Sequence, residues 1–452
     1  MSDVPFQTQL KNNNIELTPN KISVSNKKYH RGYVYLKAGL HISKAKFVQE
    51  KPLHGSEEEI IRQIHAIRYN KTNPYVITGG HFYQLYVRNL GIFFNALLDA
   101  RILSSNKDWI DRQEIALRTL ALDLEVFRQT QKDYTTIVPI RENLFSCFNF
   151  YARPSDSLFA ILYTILALTD EKFIETLFPT KQTKKHALQT KNAGQQLYKN
   201  YKISLRQLVQ KYYEEVIDSQ TGLVKKNLLL ASARDGIKRQ SSFYDNVIAW
   251  ATIRLANKLD LYKISDSKLE SWRKQIIQTF WDEKEGLFID DLSEHSEKTK
   301  LFSADSFIVL STEFLKPNRA ADKEYLQQMV RYVKKHKLDI PLPLHYSTID
   351  LPEKLYRPVR HFAPSYMGTS IWSHWGMEYI KTLIYLEQYA DAKKHLAAYK
   401  QNIETYGGYP ELYDNKGNLL HTRLYRGVLH NGWVINYEQT KMLYENSKNK
   451  LR

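Results

Sequence analysis

Asp245 sits where a loop turns into an apolar segment, in the run Gln240-Ser241-Ser242-Phe243-Tyr244-Asp245-Asn246. A carboxyl at a helix N-terminus beside Phe243 and Tyr244 is shielded from water, which raises its pKa and lets it carry a proton near neutral pH. The same spacing also describes ordinary capping, in which an acid in the first turn stabilises the helix dipole. A second carboxyl, Glu411, lies far along the chain in Tyr406-Gly407-Gly408-Tyr409-Pro410-Glu411, where the glycines and the proline fix a turn among aromatic neighbours. That segment also reads as a surface hairpin, because residues 414–418, Asp-Asn-Lys-Gly-Asn, make a good turn. Trp372 and Trp375, three apart in Gly368-Thr369-Ser370-Ile371-Trp372-Ser373-His374-Trp375, offer flat indole faces for a ligand or for packing a core. Arg88, in a run from Tyr75 to Asn89, is either a ligand-orienting cation or a helix residue snorkelling to water.

These residues belong to a recurring arrangement. Six loops rich in Gly, aromatic and polar residues, at 78–83, 151–156, 241–246, 303–306, 368–375 and 430–433, each run into a helix-patterned segment. Hydrophobic periodicity predicts helices at about 57–70, 84–104, 110–131, 155–169, 192–218, 243–261, 266–282, 304–316, 320–337, 369–388, 390–406 and 431–446. The even-numbered segments are the more apolar, as in Leu90-Gly91-Ile92-Phe93-Phe94, while several odd-numbered ones carry a polar face, as in residues 325–335. A helix apolar nearly all round is buried and one with a charged stripe faces water, so inner helices alternate with outer ones. Every loop of the six precedes an inner helix and therefore lies at one end of the ring, where a cleft is expected. Residues 1 to about 50 differ: Lys21–Ser25 and Tyr33–Lys37 alternate with the period of a strand. The expected fold is all-α, an (α/α)6 toroid of six helical hairpins, with a β-rich N-terminal arm at 1–55 packed on a barrel at 56–452.

Composition narrows the function classes. The chain of 452 residues is long enough to bury a large core, and its 31 Tyr and 7 Trp suit a wet, concave site. The net charge of +17 comes from 65 Lys and Arg against 48 Asp and Glu, but these cations are spread over most helical segments. That distribution argues for solvated faces and against nucleic acid. A single cysteine, Cys147, excludes an internal disulfide and points to a reducing compartment. No signal-like N-terminus and no membrane-length apolar run are seen, so a cytoplasmic protein without a membrane partner is expected, as a monomer or homodimer.

The stretch from about 57 to 446 resembles the six-hairpin glycosidases, closest in local motifs to the inverting α-glycosidase clan of trehalases, processing α-glucosidase I, mannosylglycerate hydrolases and exo-α-mannosidases. The resemblance rests on four segments. The run ending in Arg88-Asn89 is similar to one ending in Arg-Asp, whose Asp holds sugar hydroxyls; this chain departs from it at Asn89. The Phe243-Tyr244-Asp245-Asn246 run is similar to the segment bearing the clan's general acid. The loop of Glu411 is similar to the one supplying the general base, and Ile371-Trp372 to the Gly-Pro-Ile-Trp segment that forms a sugar platform.

The resemblance implies hydrolysis of an α-glycosidic bond in a small or oligomeric saccharide, with Asp245 protonating the leaving oxygen and Glu411 deprotonating a water. Such carboxyl pairs stand about 6.5–9.5 Å apart and invert configuration. Arg88, Asn89, Tyr244, Asn246, Asp305, Arg360, His361, Trp372, His374, Trp375, Tyr409 and Trp433 are the expected sugar-binding residues. No cofactor is expected, and the scattered histidines lack the spacing of a zinc site. Two alternatives stand beside the hydrolase: an epimerase or lyase on the same barrel using His or Tyr for proton transfer, and a catalytically silent sugar-binding barrel.

Overall fold

The computed structural model describes residues 6–11, 14–19, 23–25, 50–69, 73, 75–79, 84–91, 106–141, 143–149, 153–169, 181–231, 233–234, 237–350, 363, 365–423 and 425–449. In chain order the helices are α1 (Glu57–Arg68), α2 (Asn106–Thr130), α3 (Ser157–Thr169), α4 (Lys181–Val216), α5 (Phe243–Lys258), α6 (Asp266–Phe280), α7 (Glu294–Thr299), α8 (Ile308–Ser311), α9 (Ala320–Lys335), α10 (Ser373–Tyr385), α11 (Tyr389–Tyr406) and α12 (Val434–Asn449). The strands are short: β1 (Phe6–Lys11), β2 (Asn14–Pro19), β3 (Ser23–Ser25), β4 (Leu85–Tyr86), β5 (Thr136–Arg141), β6 (Leu144–Phe148), β7 (Arg153–Pro154), β8 (Leu230–Ala231), β9 (Trp281–Asp282), β10 (Leu287–Phe288), β11 (Ile371–Trp372) and β12 (Leu412–Tyr413).

Burial separates two walls. In α10 twelve of thirteen residues are buried, and in α5 thirteen of sixteen. Next to them in sequence, α9 buries six of sixteen and α11 five of eighteen. The buried helices pack on one another around the inside: α3 on α5, α5 and α10 on the Ala304–Phe307 and α8 segment, and α10 on α12. The amphipathic helices pair with them from outside, α2 and α4 on α3, α6 on α5, and α11 on α10 and α12. Each wall follows from its pattern, since only an all-round apolar helix tolerates the inner position. The result is the (α/α)6 toroid.

Several boundaries differ from the periodicity. The predicted helix 192–218 begins at Lys181, and the predicted 304–316 is a 3-10 turn, Ala304–Phe307, followed by the single turn of α8. The start of the predicted helix 84–104 is instead strand β4 and a 3-10 turn at Val87–Asn89, because β4 is claimed by β5 with Leu85 opposite Ile137; residues 92–105 lie outside the described residues. Strands β5 and β6 were not anticipated. They pair antiparallel across Asn143, which takes the left-handed conformation at φ 54°, and form the centre of a sheet ordered β3-β6-β5-β4.

The N-terminal segment contributes to this sheet through β3, parallel to β6, and through the β1–β2 hairpin packed on α2 and α4. Residues 33–37, expected as a strand, lie outside the described residues. Glu50 accepts hydrogen bonds from the backbone N–H of Leu429 and His430, at 2.8 and 3.1 Å. Leu53 donates to the carbonyl of Gly407 at 2.8 Å. Gly407 closes α11 in the left-handed region at φ 58°, and a Cβ there would stand 2.2 Å from the Leu53 carbonyl, so the turn leading to Glu411 needs a glycine. No helix among the described residues is long and apolar enough to cross a membrane.

Candidate active site

Among the described residues, side-chain contacts connect the N-terminal entries of α3, α5, the Ala304–Phe307 turn, α10 and α12, and many of the candidate residues lie along them. Ser242 caps α5, its hydroxyl accepting the Asp245 N–H at 3.0 Å, and the same hydroxyl lies 2.7 Å from Asp245 Oδ2 as donor. The capping and the chemical readings of this motif therefore describe one geometry. Asp245 is 3% exposed. Burial pushes its pKa up to about 6, against the pull of Arg239 and the Ser242 and Ser155 hydroxyls and with a push from Asp305. Such a carboxyl holds its proton through mildly acidic pH.

Glu411 is pinned through its backbone. Its carbonyl accepts from the Ser373 N–H at 3.2 Å and the Ser373 hydroxyl at 2.9 Å, and its N–H donates to Val428 at 2.9 Å. Immediately after it, β12 pairs with β11, Leu412 opposite Trp372, which docks the loop onto the start of α10. Its carboxylate accepts from the Tyr425 hydroxyl, 3.3 Å from Oε2. Burial raises the Tyr425 pKa and the adjacent Glu411 charge raises it further, so this hydroxyl remains a donor.

A run of aromatic contacts joins the two settings. Tyr244 meets Trp375 edge-on at 6.1 Å, and Trp375 meets the His374 ring at 4.7 Å. His374 packs on Trp433 at 4.2 Å and on Trp372 at 5.5 Å. Trp372 meets Tyr366 at 5.0 Å, and Tyr366 meets Tyr425 at 5.3 Å, beside Glu411. Burial, with the nearby Arg88 charge, lowers the His374 pKa well below its usual value, so this imidazole is neutral. Of the three tryptophans Trp433 is partly exposed, whereas Trp372 and Trp375 are buried, the indole N–H of Trp372 donating to the Tyr366 carbonyl at 2.8 Å. Trp433 is the most exposed of the three.

No family model matches the chain, and no curated protein matches it in sequence. Solved structures do match in shape. A rhamnosidase from Klebsiella oxytoca with rhamnose bound aligns at a TM-score of 0.53 and 11% identity, over 86% of this chain and 64% of that one. A GH63 mannosylglycerate hydrolase from Thermus thermophilus aligns at 0.51 in two structures, in complex with Tris and with Tris and D-glycerate. Identities are 11% and 12%, and 87% and 86% of this chain covers 100% of each. The chain has the six-hairpin glycosidase fold.

In that fold several expected residues take supporting places. The Asn246 side chain accepts from the N–H of Val224, in the segment after α4, at 2.8 Å and donates to Ser241 Oγ at 3.0 Å and the Ser242 carbonyl at 2.7 Å in its own turn. It shapes the turn before α5. Asn89 is buried and donates to Thr78 Oγ1 at 3.3 Å, tying the first loop together. Asp305 accepts from Arg239 at 2.7 Å and from the Tyr346 hydroxyl at 3.1 Å. Arg239 also binds Asp290 at 2.9 Å, and Asp290 binds Arg234 at 2.8 Å, a buried row of alternating charges. Tyr409 is buried in a tyrosine cluster, its ring 6.1 Å from both Tyr399 and Tyr437. Arg360 and His361 lie outside the described residues.

The structure adds residues that sequence reasoning missed. Asp156, at the entry to α3, accepts from the Tyr244 hydroxyl at 3.0 Å and pairs with Arg88 Nε at 3.5 Å. It ends the 151–156 loop, so the loop pattern alone pointed to its position. Arg239, one residue before the Asp245 motif, and Ser373, inside the tryptophan segment, had the same positional signal; Tyr346 and Tyr425 had none. Among the described residues no group of three or more His, Cys, Asp or Glu side chains could hold a metal ion.

Proposed function

We propose that the protein is a glycoside hydrolase cleaving an α-glycosidic bond in a small or oligomeric saccharide with inversion of configuration. Asp245 gives its proton to the leaving oxygen, and Glu411 takes a proton from the water that attacks the anomeric carbon. The observation that supports this reading is a carboxyl raised to about 6 at the N-terminus of α5, whose neighbour Tyr244 packs on Trp375 at the start of α10, where the Glu411 backbone is fastened. One acid kept protonated and a second carboxyl held in place is the division of labour that glycosidic hydrolysis uses. Trp433 provides a face for the sugar ring, and Arg88 and His374 provide edge contacts. The similar folds of a rhamnosidase and a mannosylglycerate hydrolase support a sugar substrate. A cytoplasmic setting suits Cys147, whose thiol pKa burial pushes up to about 12, leaving it inert.

The test is proton NMR of aryl α-glucoside, α-mannoside and α-rhamnoside digests. The β-anomer appears first if the reading is right, and neither Asp245→Asn nor Glu411→Gln turns over unactivated substrates. An α-anomer appearing first, or full turnover in either variant, sinks it.

A further inference from the structure

Glu411 is fastened through its backbone, and that alone does not aim a carboxylate. Several torsions separate its Cα from the carboxyl oxygens, each with more than one well. A side-chain partner reaches the carboxylate from 14 positions along the chain: the Tyr425 hydroxyl lies 3.3 Å from Oε2 as donor. The residues between them are folded to bring this about. Leu420 donates to the Leu412 carbonyl at 3.2 Å, and a second turn follows, closed by the Thr422 N–H on the Tyr425 carbonyl at 2.7 Å. Beside that turn His421 stands opposite Arg426, and the Gly427 N–H donates to the Leu420 carbonyl at 2.9 Å. Side chains alternate between the two faces of paired strands. Tyr425 therefore shares a face with the buried Leu420, and the exposed His421 shares the other with Arg426.

The inner face is packed as well as paired. The Tyr425 ring meets Tyr366 edge-on at 5.3 Å, Tyr366 meets Trp372 at 5.0 Å, and Trp372 stands opposite Leu412, next to Glu411. Burial, then the Glu411 charge, holds the Tyr425 pKa above its usual value, with Tyr366 and Tyr86 the other titratable groups bearing on it. The phenol is a fixed donor through neutral pH. A donor on a carboxylate fixes the plane of the group and favours its ionised form. Both are what a water-activating base requires. The 3.3 Å separation is long for an O–H···O bond, and such bonds in ligand-free sites often tighten when substrate arrives.

We infer that Tyr425 is a positioning residue for the base: its hydroxyl holds Oε2 and sets the plane in which the Glu411 carboxylate meets the attacking water. The inference rests on the hydrolase reading and adds a residue that acts through Glu411 rather than on the sugar. A merely structural tyrosine would be replaced by phenylalanine, which keeps the ring on Tyr366, without effect on the Glu411 charge.

The experiment is NMR of the substrate-free protein across pH, for the wild type and Tyr425→Phe, beside their pH–rate profiles. In the wild type the Tyr425 Cζ signal should move with the midpoint of the Glu411 carboxyl carbon. In Tyr425→Phe the Glu411 midpoint should rise by roughly 0.5–1 unit while that of Asp245 stays in place. The acid limb of the rate profile should rise by the same amount, and kcat on the plateau should fall on the order of fivefold with KM little changed. A Glu411 midpoint that stays or falls, an equal movement of Asp245, a Tyr425 signal blind to the Glu411 titration, or a loss that appears in KM alone overturns the inference. The wild-type signal decides even where the variant does not fold. Because the titrations need no substrate, their failure is distinct from that of the hydrolase reading, which the first-formed anomer decides.

Discussion

Asp245 and Glu411 stand at the same end of the ring and are held in contrasting ways. Asp245 belongs to a helix: its backbone is fixed by the Ser242 cap, and what is tuned is its charge, through burial, Arg239, two serine hydroxyls and Asp305. Glu411 belongs to a loop, and what is fixed is its place, through two donors from Ser373, one bond to Val428 and the β11–β12 pairing. A proton donor needs a suitable pKa, and a water-activating base needs a position from which it reaches the water. In the proposed reaction the acid is set by its electrostatic surroundings and the base by its backbone anchorage.

Substitutions that remove each carboxyl should break this contrast most severely. Glu411→Gln should lower turnover about 10²–10⁴-fold or more on every α-glycoside, the range general-base catalysis supplies, while leaving circular dichroism unchanged. For Asp245 the wild-type rate should fall as pH rises through about 6, because the donor must carry its proton. In Asp245→Asn that limb should vanish along with most of the activity. The same raised pKa has a stability consequence. A carboxyl that binds its proton more tightly folded than unfolded contributes stability that is complete below its unfolded pKa of about 3.8 and is lost as pH rises through about 6. Asp245→Asn should therefore be more stable than the wild type at pH 8 by up to about 3 kcal/mol, at roughly 1.4 kcal/mol per unit, and no more stable at pH 3.5. Denaturant melts at the two pH values measure this.

Loosening the anchorage should act more weakly. Ser373→Ala removes the hydroxyl on the Glu411 carbonyl but spares the backbone donor. It should lower kcat by about fivefold, consistent with roughly 1 kcal/mol for one hydrogen bond, without moving the limb near pH 6. A Ser373→Ala profile displaced along the pH axis would mean that the two settings are coupled.

The contrast also explains what could be read from the chain. The start of α5 was legible because a cap, an acid three residues later and an apolar run are all local, and the helix begins at Phe243 as that pattern requires. The inner and outer alternation was legible for the same reason, in that a charged stripe marks α9 and its absence marks α3. Contacts between distant residues were not. The Tyr244–Asp156 bond spans 88 positions and the Arg239–Asp305 bond 66, and nothing local in either segment announces the other. Asn246 and Asp305 looked like ligand contacts because their types and loops were right, yet the fold spends the Asn246 amide on the turn and the Asp305 carboxylate on Arg239 and Tyr346. The strand at Leu85–Tyr86 was misread as helix because its partner, β5, is about 50 residues away.

The acid and base roles separate most directly through the leaving group. Rates on methyl and 2,4-dinitrophenyl α-glycosides of the sugar that the wild type prefers should be compared for Asp245→Asn and Glu411→Gln. A leaving group that departs without a proton restores Asp245→Asn to within about tenfold of the wild type and leaves Glu411→Gln inactive on both substrates, if charge defines the first residue and position the second. Equal losses of Asp245→Asn on the two substrates, or recovery of Glu411→Gln on the activated one, would contradict the assignment.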